Sequence, residues 1–109
     1  MKYGNHKVTV GGRRYDSQRE AGRAVTLRRM AAAGSISGLR EQVRFTLIPS
    51  QRVGGKCVER AVTYIADFVY VDNATGETVV EDTKGFKTKD YIIKRKLMLW
   101  VHGIRIREV

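Results

Sequence analysis

The sequence has few of the residues that build disulfide frameworks, zinc sites and membrane spans. Among its 109 residues there is one cysteine, Cys57, and there are two histidines, His6 and His102. A single cysteine excludes an internal disulfide, and these three side chains together disfavour a closed zinc site. No apolar run approaches the roughly 18 residues that a membrane span needs, and the N-terminus has no signal-peptide core. We therefore expect a soluble, cytoplasmic protein whose one domain covers residues 1–109.

The charge of the chain is far from balanced. Lysine and arginine together number 21 and aspartate and glutamate 11, which gives a formal net charge of +10 at pH 7. A charge of this size favours a polyanionic partner such as nucleic acid. Residues 61–93 carry six acids against three bases, whereas residues 1–60 carry four acids against 13 bases. An acidic centre within a basic chain favours a metal-dependent nuclease over a pure nucleic-acid binder, although solvated acids on an outer face would give the same count.

The hydrophobic pattern predicts an α/β domain. After a basic arm at residues 1–7 and a hairpin at residues 8–15, the elements follow in the order αβββαβ, which predicts a mixed central sheet flanked by helices. Residues 36–39 are expected to connect the first helix to the first core strand. The predicted core elements are a helix over residues 17–33, a strand from residue 43 to Pro49, strands over residues 57–72 and 77–84, a helix over residues 89–102 and a strand over residues 104–109.

Each predicted helix has a recognisable pattern. On the first helix, Ser17 and Glu20 match the capping box, in which the glutamate side chain reaches back to the amide of the cap residue. On the second, Ile93, Leu97 and Trp100 recur at helical spacing, and we expect this stripe to pack into the core.

The stretch from Thr78 to Gly85 reads Thr-Val-Val-Glu-Asp-Thr-Lys-Gly. Asp82 and Lys84 are two residues apart on a predicted strand, so their side chains point to the same face and Glu81 points to the opposite face. A carboxylate and an ammonium group side by side can hold a divalent metal and contact a phosphate. We interpret Glu81 as a structural residue or as a support for the site.

Asp67 is a charged residue in a strand that is otherwise rich in Val, Ile, Phe and Tyr. An ionised carboxylate in such a strand is costly unless it is paired or bound to a metal. The predicted hairpin places Asp67 on the strand next to Asp82, so the two carboxylates can meet on one face, and Mg²⁺ would relieve their repulsion. The alternative is an ion pair between Asp67 and a neighbouring arginine or lysine.

Together these features resemble the PD-(D/E)XK nuclease superfamily, in which an αβββαβ core carries Asp on its second strand and Asp-x-Lys on its third. More specifically, the sequence is similar to a phage and prophage family of small, resolvase-like proteins, DUF1064. The resemblance spans almost all of the chain, although Ala66 replaces the superfamily's proline before the first Asp. It implies a restriction-endonuclease-like fold with an added N-terminal β-hairpin. The segments that carry it are Lys2-Tyr3, Tyr15-Asp16-Ser17 with Glu20, Tyr64-Ile65-Ala66-Asp67-Phe68, Glu81-Asp82-Thr83-Lys84-Gly85 and Tyr91-x-x-Lys94-x-Lys96.

The resemblance also implies a catalytic site for Mg²⁺, for which Mn²⁺ would substitute. Asp67 and Asp82 would be metal ligands, with the backbone carbonyl of Thr83 as a third. Lys84 would contact the attacking water or the scissile phosphate. Glu20 matches a carboxylate that reaches the same site in resolvase-like nucleases. It is either a ligand, which is the interpretation we favour, or the capping-box residue described above.

Several basic residues are expected to contact nucleic acid. Arg13 and Arg14 either contact phosphate or form a solvated strand edge, and Lys94 either faces the site or is solvated. The residues that we interpret as a basic rim are Lys87, Lys89 and Lys96.

The function that the resemblance implies is a Mg²⁺-dependent endonuclease that hydrolyses DNA phosphodiester bonds. Branched or junction DNA in phage-type recombination or DNA processing is the candidate substrate, and RNA is the alternative to DNA. A domain this small needs a second copy to cut two strands symmetrically, so we expect a homodimer, in the host cytoplasm if the protein is phage-encoded. Two other functions stay open: a non-catalytic nucleic-acid-binding module on a degenerate nuclease fold, and a small basic structural protein without a site.

Overall fold

The computed structural model describes residues 7–109, so most of the expected basic arm lies outside the described residues. The described chain forms two helices and eight strands. In chain order these are β1 (Val8–Val10), β2 (Arg13–Tyr15), α1 (Gln18–Ala32), β3 (Ile36–Ile48), β4 (Gln51–Val53), β5 (Lys56–Glu59), β6 (Val62–Asp72), β7 (Thr78–Asp82), α2 (Lys89–His102) and β8 (Arg107–Glu108).

A mixed four-stranded sheet forms the centre of the protein. Its strand order is β3-β6-β7-β8, with antiparallel pairing except between β7 and β8, which are parallel. One core cluster packs between this sheet and α1, and a second packs between the sheet and α2. The predicted N-terminal hairpin and the mixed sheet with two helices are therefore confirmed. The αβββαβ order holds for the helices and the strands of this sheet, with β4 and β5 added between its first two strands. No helix in residues 7–109 is long and apolar enough to cross a membrane.

Several strand boundaries differ from the prediction. The stretch 36–39, expected to be a connector, is the beginning of β3, where a register shift next to Gly38 hides the alternation of apolar residues. The long run 57–72 is interrupted after Glu59, so that β4 and β5 form a separate hairpin with exposed residues throughout. The last strand is only two residues long because just Arg107 and Glu108 pair with β7.

Helix α1 forms as its sequence predicts. The side chain of Ser17 accepts a hydrogen bond from the backbone N–H of Glu20 and so caps the helix. Ala21, Ala24 and Leu27 recur at helical spacing and are buried in the first core cluster. The small alanines let the helix lie close to the sheet.

Helix α2 has the predicted ends but a different buried face. Thr88 caps its N-terminus, and Gly103, at φ 67°, adopts the left-handed conformation that ends many helices. Its buried residues are Tyr91 and Met98, whereas Trp100 is 85% exposed. The prediction of a core stripe through Ile93 and Trp100 is therefore wrong. Tyr91 can be buried because its hydroxyl has a partner, Glu108.

Strand β6 changes faces in the middle of the sheet. In β6, Tyr64 and Ala66 join the cluster under α2, whereas Phe68 and Tyr70 join the cluster under α1. Regular alternation would put all four side chains on one face. The change occurs at Asp67, which is therefore the point where β6 passes from one core to the other.

The corrected face of α2 leads to a first prediction. Met98→Ala should lower the free energy of unfolding by about 2–5 kcal/mol, because it leaves a cavity at a fully buried position. Trp100→Ala should change it by less than about 0.5 kcal/mol, because the indole is exposed. Urea unfolding followed by far-ultraviolet circular dichroism measures both. A larger loss from Trp100→Ala than from Met98→Ala would contradict this packing of α2.

Candidate active site

Asp67 and Asp82 lie on neighbouring strands at the same level of the sheet. The last observed pair of β6 and β7 is Phe68 with Glu81, so Asp67 and Asp82 occupy the next position along the two strands. Asp82 is 1% exposed and Asp67 is partly buried. The sequence prediction that these two carboxylates come close to each other agrees with this register.

Asp82 is a buried carboxylate, and one of its oxygens accepts no hydrogen bond from the described residues. Its Oδ2 accepts a hydrogen bond from the hydroxyl of Tyr64. Its Oδ1 is buried and accepts no hydrogen bond from residues 7–109, although Lys84 Nζ lies 3.1 Å away. Burial raises the pKa of Asp82 and the charge of Asp67 raises it further, whereas Tyr64 and Lys84 oppose the shift.

Asp67 is held by the segment that follows β7. Its Oδ2 accepts hydrogen bonds of 2.8 Å from both the backbone N–H and the hydroxyl of Thr83. Its Oδ1 is 3.5 Å from Nε2 of Gln42. These partners differ from the arginine or lysine that the alternative of an ion pair requires. Thr83 thus holds the side chain of Asp67 in place. From the sequence we also predict that the backbone carbonyl of Thr83 is a metal ligand.

The side chain of Glu20 is linked to Asp67 through Gln42. Its Oε2 accepts a hydrogen bond of 2.9 Å from Nε2 of Gln42, and no hydrogen bond returns to the cap residue Ser17 within the described part of the chain. Burial raises the pKa of Glu20 to about 7, and the charge of Asp67 is the next largest cause. Glu20 therefore senses the charge of Asp67 and shares Gln42 with it as a hydrogen-bond donor, and only Ser17 performs the capping.

Lys84 reaches the site from a loop. The strand ends at Asp82, so the expectation of a strand through residue 84 is wrong, but the predicted proximity of Lys84 to Asp82 holds. The ammonium group also lies 4.6 Å from the centre of the Tyr91 ring, where the π-electrons attract a cation. Tyr91 and Asp82 together fix the position of this charge.

The donors suit a hard cation, although they do not enclose one. Among residues 7–109, no three His, Cys, Asp or Glu side chains stand close enough to hold a metal ion. Mg²⁺ commonly binds through one or two carboxylates together with water and substrate oxygens, so a closed cage is not required. Oδ1 of Asp82 and the neighbouring Asp67 supply two such carboxylates, with Glu20 nearby. The residues present fit Mg²⁺ in their chemistry.

The predicted basic residues divide into two groups. Arg13 and Arg14 line a polar cleft of about 230 Å³ that also contains Glu20 and Gln42. Arg13 Nε lies 3.7 Å from Oε1 of Glu41, and the Arg13 side chain remains half exposed. The structure thus places these two arginines beside Glu20.

The lysines lie farther from the carboxylates. Lys87 pairs with Glu108 at 3.9 Å. Lys89 and Lys96 are exposed and Lys94 is partly buried, and none of these three pairs with a site carboxylate among the described residues. Lys89, Lys94 and Lys96 lie on α2, and Lys87 lies just before this helix.

Two residues of the site were not found from the sequence. Tyr64 lies three residues before Asp67, so regular alternation would place it on the other face, and only the change of face in β6 brings it to Asp82. Gln42 is one of several polar residues on the exposed phase of β3, and nothing in the pattern distinguishes it. A polar residue level with Asp67 becomes noticeable only when the register is known.

Glu81 meets an environment unlike that of its neighbour Asp82. Arg23 on α1 donates two hydrogen bonds to it, of 2.8 and 2.6 Å, and Tyr70 donates a third. Glu81 is 0% exposed, and this pairing compensates for the burial of its charge. The expectation that Glu81 lies on the opposite face from Asp82 is confirmed.

The contrast between the two adjacent acids gives a second prediction. Glu81→Gln should lower the free energy of unfolding by about 3 kcal/mol or more, because it leaves the Arg23 charge without its partner. Asp82→Asn should cost less stability in metal-free buffer, because it removes a buried charge and keeps an acceptor for Tyr64, and the Lys84 that it leaves unpaired is partly exposed to water. Urea unfolding in EDTA measures both. Equal losses would mean that the two acids have the same structural role.

A third prediction concerns pH. The folded protein keeps a proton on Glu20 up to about pH 7, whereas the unfolded chain releases it near the ordinary pKa of glutamate, so stability falls as pH rises between these values. The Tm in EDTA should therefore decrease from about pH 5 to about pH 8. Glu20→Gln should make the decrease smaller, leaving the part that comes from Asp82. An unchanged slope in the variant would contradict the raised pKa.

Comparison with known proteins gives one match. A family model, described as a protein of unknown function (DUF1064), matches residues 1–105. No curated protein and no solved structure matches the chain.

Proposed function

The chain belongs to the DUF1064 family, and we propose that it is a metal-dependent endonuclease of the PD-(D/E)XK type that hydrolyses DNA. One observation carries the proposal. Asp82 is a buried carboxylate beside a second carboxylate, Asp67. Its Oδ1 accepts no hydrogen bond from residues 7–109 and has the ammonium group of Lys84, 3.1 Å away, as its ion-pair partner. A buried arrangement of this kind is costly to the folded protein unless a ligand compensates for it, and a divalent cation is the simplest such ligand.

The fold is compatible with this proposal. The αβββαβ order, with Asp67 on the second core strand and Asp82 at the end of the third, is the arrangement expected of a restriction-endonuclease-like core. The β4–β5 hairpin is then an insertion between the first and second core strands. Parallel β8 next to β7 extends the sheet beyond the strand that carries the site.

The residues of the site have separable roles in this proposal. Asp67, Asp82 and the carbonyl of Thr83 would hold Mg²⁺, and Glu20 would join them directly or through water. When bound, the cation supplies charge that neutralises the phosphate and lowers the pKa of coordinated water. Lys84, held by Asp82 and the Tyr91 ring, would orient the attacking water or stabilise the charge that develops on the phosphate.

The basic residues suggest how the nucleic acid would approach. The cleft next to Glu20 is lined by Arg13 and Arg14, so a phosphate adjoining the scissile one can be neutralised there. Lys87, Lys89, Lys94 and Lys96 would contact the backbone farther from the metal. Cutting two strands of a junction symmetrically calls for a second copy of the chain, and the proposal therefore includes a homodimer, branched DNA as substrate and action in the cytoplasm.

A second candidate function is a non-catalytic nucleic-acid-binding module. It is favoured by the finding that no three acidic, histidine or cysteine side chains of residues 7–109 converge as a metal cage. In that case Asp67, Asp82 and Glu20 would have only a structural role, and the net charge of +10 would provide the affinity.

The fourth prediction separates the two functions. End-labelled four-way junction, duplex and single-stranded DNA, together with an RNA hairpin, are incubated with protein in Mg²⁺, Mn²⁺ or EDTA. The wild type should cleave at least one of them only when metal is present, and Asp82→Asn should reduce the rate at least about 100-fold while binding persists. Glu77→Gln removes an exposed acid of the same β-hairpin and should leave the rate unchanged.

Each other outcome of this experiment has a definite meaning. Tight binding without cleavage of any substrate would favour the binding module. Cleavage that survives Asp82→Asn would indicate a contaminating nuclease or a different site. Preference for RNA would keep the chemistry and change the substrate.

A further inference from the structure

Gln42 has a backbone conformation that its residue type disfavours. It lies in the middle of β3, and its φ of +54° is the only positive φ of a non-glycine residue among residues 7–109. The residues on both sides of it, Glu41 and Val43, pair normally with β6. A Cβ atom makes this left-handed region unfavourable, and glycine, which has no Cβ, would adopt it without strain. Residues held in such conformations are concentrated at functional sites.

The conformation of Gln42 coincides with a change of face in β3. Val43, Phe45 and Leu47 pack into the cluster under α2. Glu41, two residues before Val43, instead receives hydrogen bonds from Tyr15 and Arg28 on the α1 side. This change of face in β3 lies opposite the change of face at Asp67 on β6. The positive φ of Gln42 therefore marks the position at which β3 passes from one core cluster to the other.

Glycine would satisfy the backbone requirement at this point, but it would not supply the amide. Nε2 of Gln42 is 2.9 Å from Oε2 of Glu20 and 3.5 Å from Oδ1 of Asp67. The amide group is a neutral donor of two hydrogens between two carboxylates that repel each other. It is therefore the contact that draws a helix residue and a strand residue into one cluster.

We propose that Gln42 is a positioning residue, whose amide sets Glu20 and Asp67 in the arrangement that receives a divalent cation. The proposal rests on the proposed metal-dependent function, because it assigns a role within that same site. Residues that orient metal ligands without binding the metal commonly change metal affinity about 10- to 100-fold when they are removed. Gln42 also lines the cleft beside Arg13 and Arg14, so it adjoins the route proposed for the nucleic acid.

The fifth prediction separates the backbone of Gln42 from its amide by comparing two variants. Gln42→Gly and Gln42→Ala both remove the amide, but only glycine fits the positive φ without strain. Gln42→Gly should therefore have a Tm about 4 °C or more above that of Gln42→Ala. The matched control is Thr46, an exposed residue of the same strand that is not among the positive-φ residues, where the glycine variant should be the less stable of the two.

The amide is tested by Mn²⁺ titration calorimetry and by cleavage of the substrate that the wild type prefers. Both Gln42 variants should bind Mn²⁺ about tenfold or more weakly and cleave correspondingly more slowly, in spite of their different Tm values. If Gln42 had a purely structural role, the more stable variant, Gln42→Gly, would recover the Mn²⁺ affinity and the cleavage rate of the wild type. Thr46→Gly and Thr46→Ala should bind Mn²⁺ as the wild type does.

The outcomes distinguish this inference from the proposed function. If the wild type binds Mn²⁺ and cleaves, and Gln42→Gly does both within about twofold, the positioning role is overturned and the nuclease stands. A Gln42→Gly variant no more stable than Gln42→Ala would overturn the strained conformation. A wild type that neither binds Mn²⁺ nor cleaves any substrate overturns the proposed function, and the role of Gln42 is overturned with it.

Discussion

Two consecutive acids, Glu81 and Asp82, are buried at the end of a central strand, and the structure around them depends on how each charge is compensated. Strand alternation sends the two side chains to opposite faces of the sheet. On one face Glu81 is fully matched by Arg23 and Tyr70. On the other, Asp82 meets a tyrosine and a lysine but also a second carboxylate, Asp67. One face is therefore satisfied, and the other is left in need of positive charge.

Helix α1 contributes one charged side chain beside Glu81 and one acidic side chain near Asp67. Glu20 and Arg23 are three residues apart on it, which places them on neighbouring positions of the helix surface. Arg23 neutralises the buried Glu81 and so stabilises the docked helix. Glu20 brings a further carboxyl group toward Asp67, and above about pH 7, where this group loses its proton, its charge makes the docked helix less favourable in the absence of a cation. The packing of α1 on the sheet thus forms a stabilising ion pair between Arg23 and Glu81. It also brings together two carboxyl groups, those of Glu20 and Asp67, whose proximity is destabilising.

Local patterns were sufficient to predict the order of the elements and the neighbourhood of Asp67, Asp82 and Lys84. These follow from alternation, turn residues and hairpin pairing, which depend on residues close in sequence. The exposure of Trp100 was not predictable, because it depends on which face of α2 meets the sheet. The contribution of Gln42 was hidden for a similar reason, since a change of face within a strand is set by the twist of the whole sheet.

The exposed position of Trp100 has a practical consequence for spectroscopy. It is the only tryptophan of the chain, and its indole ring already lies in water when the protein is folded. Its fluorescence emission should hardly shift when the chain unfolds, and dissolved quenchers should reach it in either state. Any molecule that covers the outer face of α2 would instead shift the emission to shorter wavelengths. The protein therefore carries a natural fluorophore that reports association at this helix rather than folding.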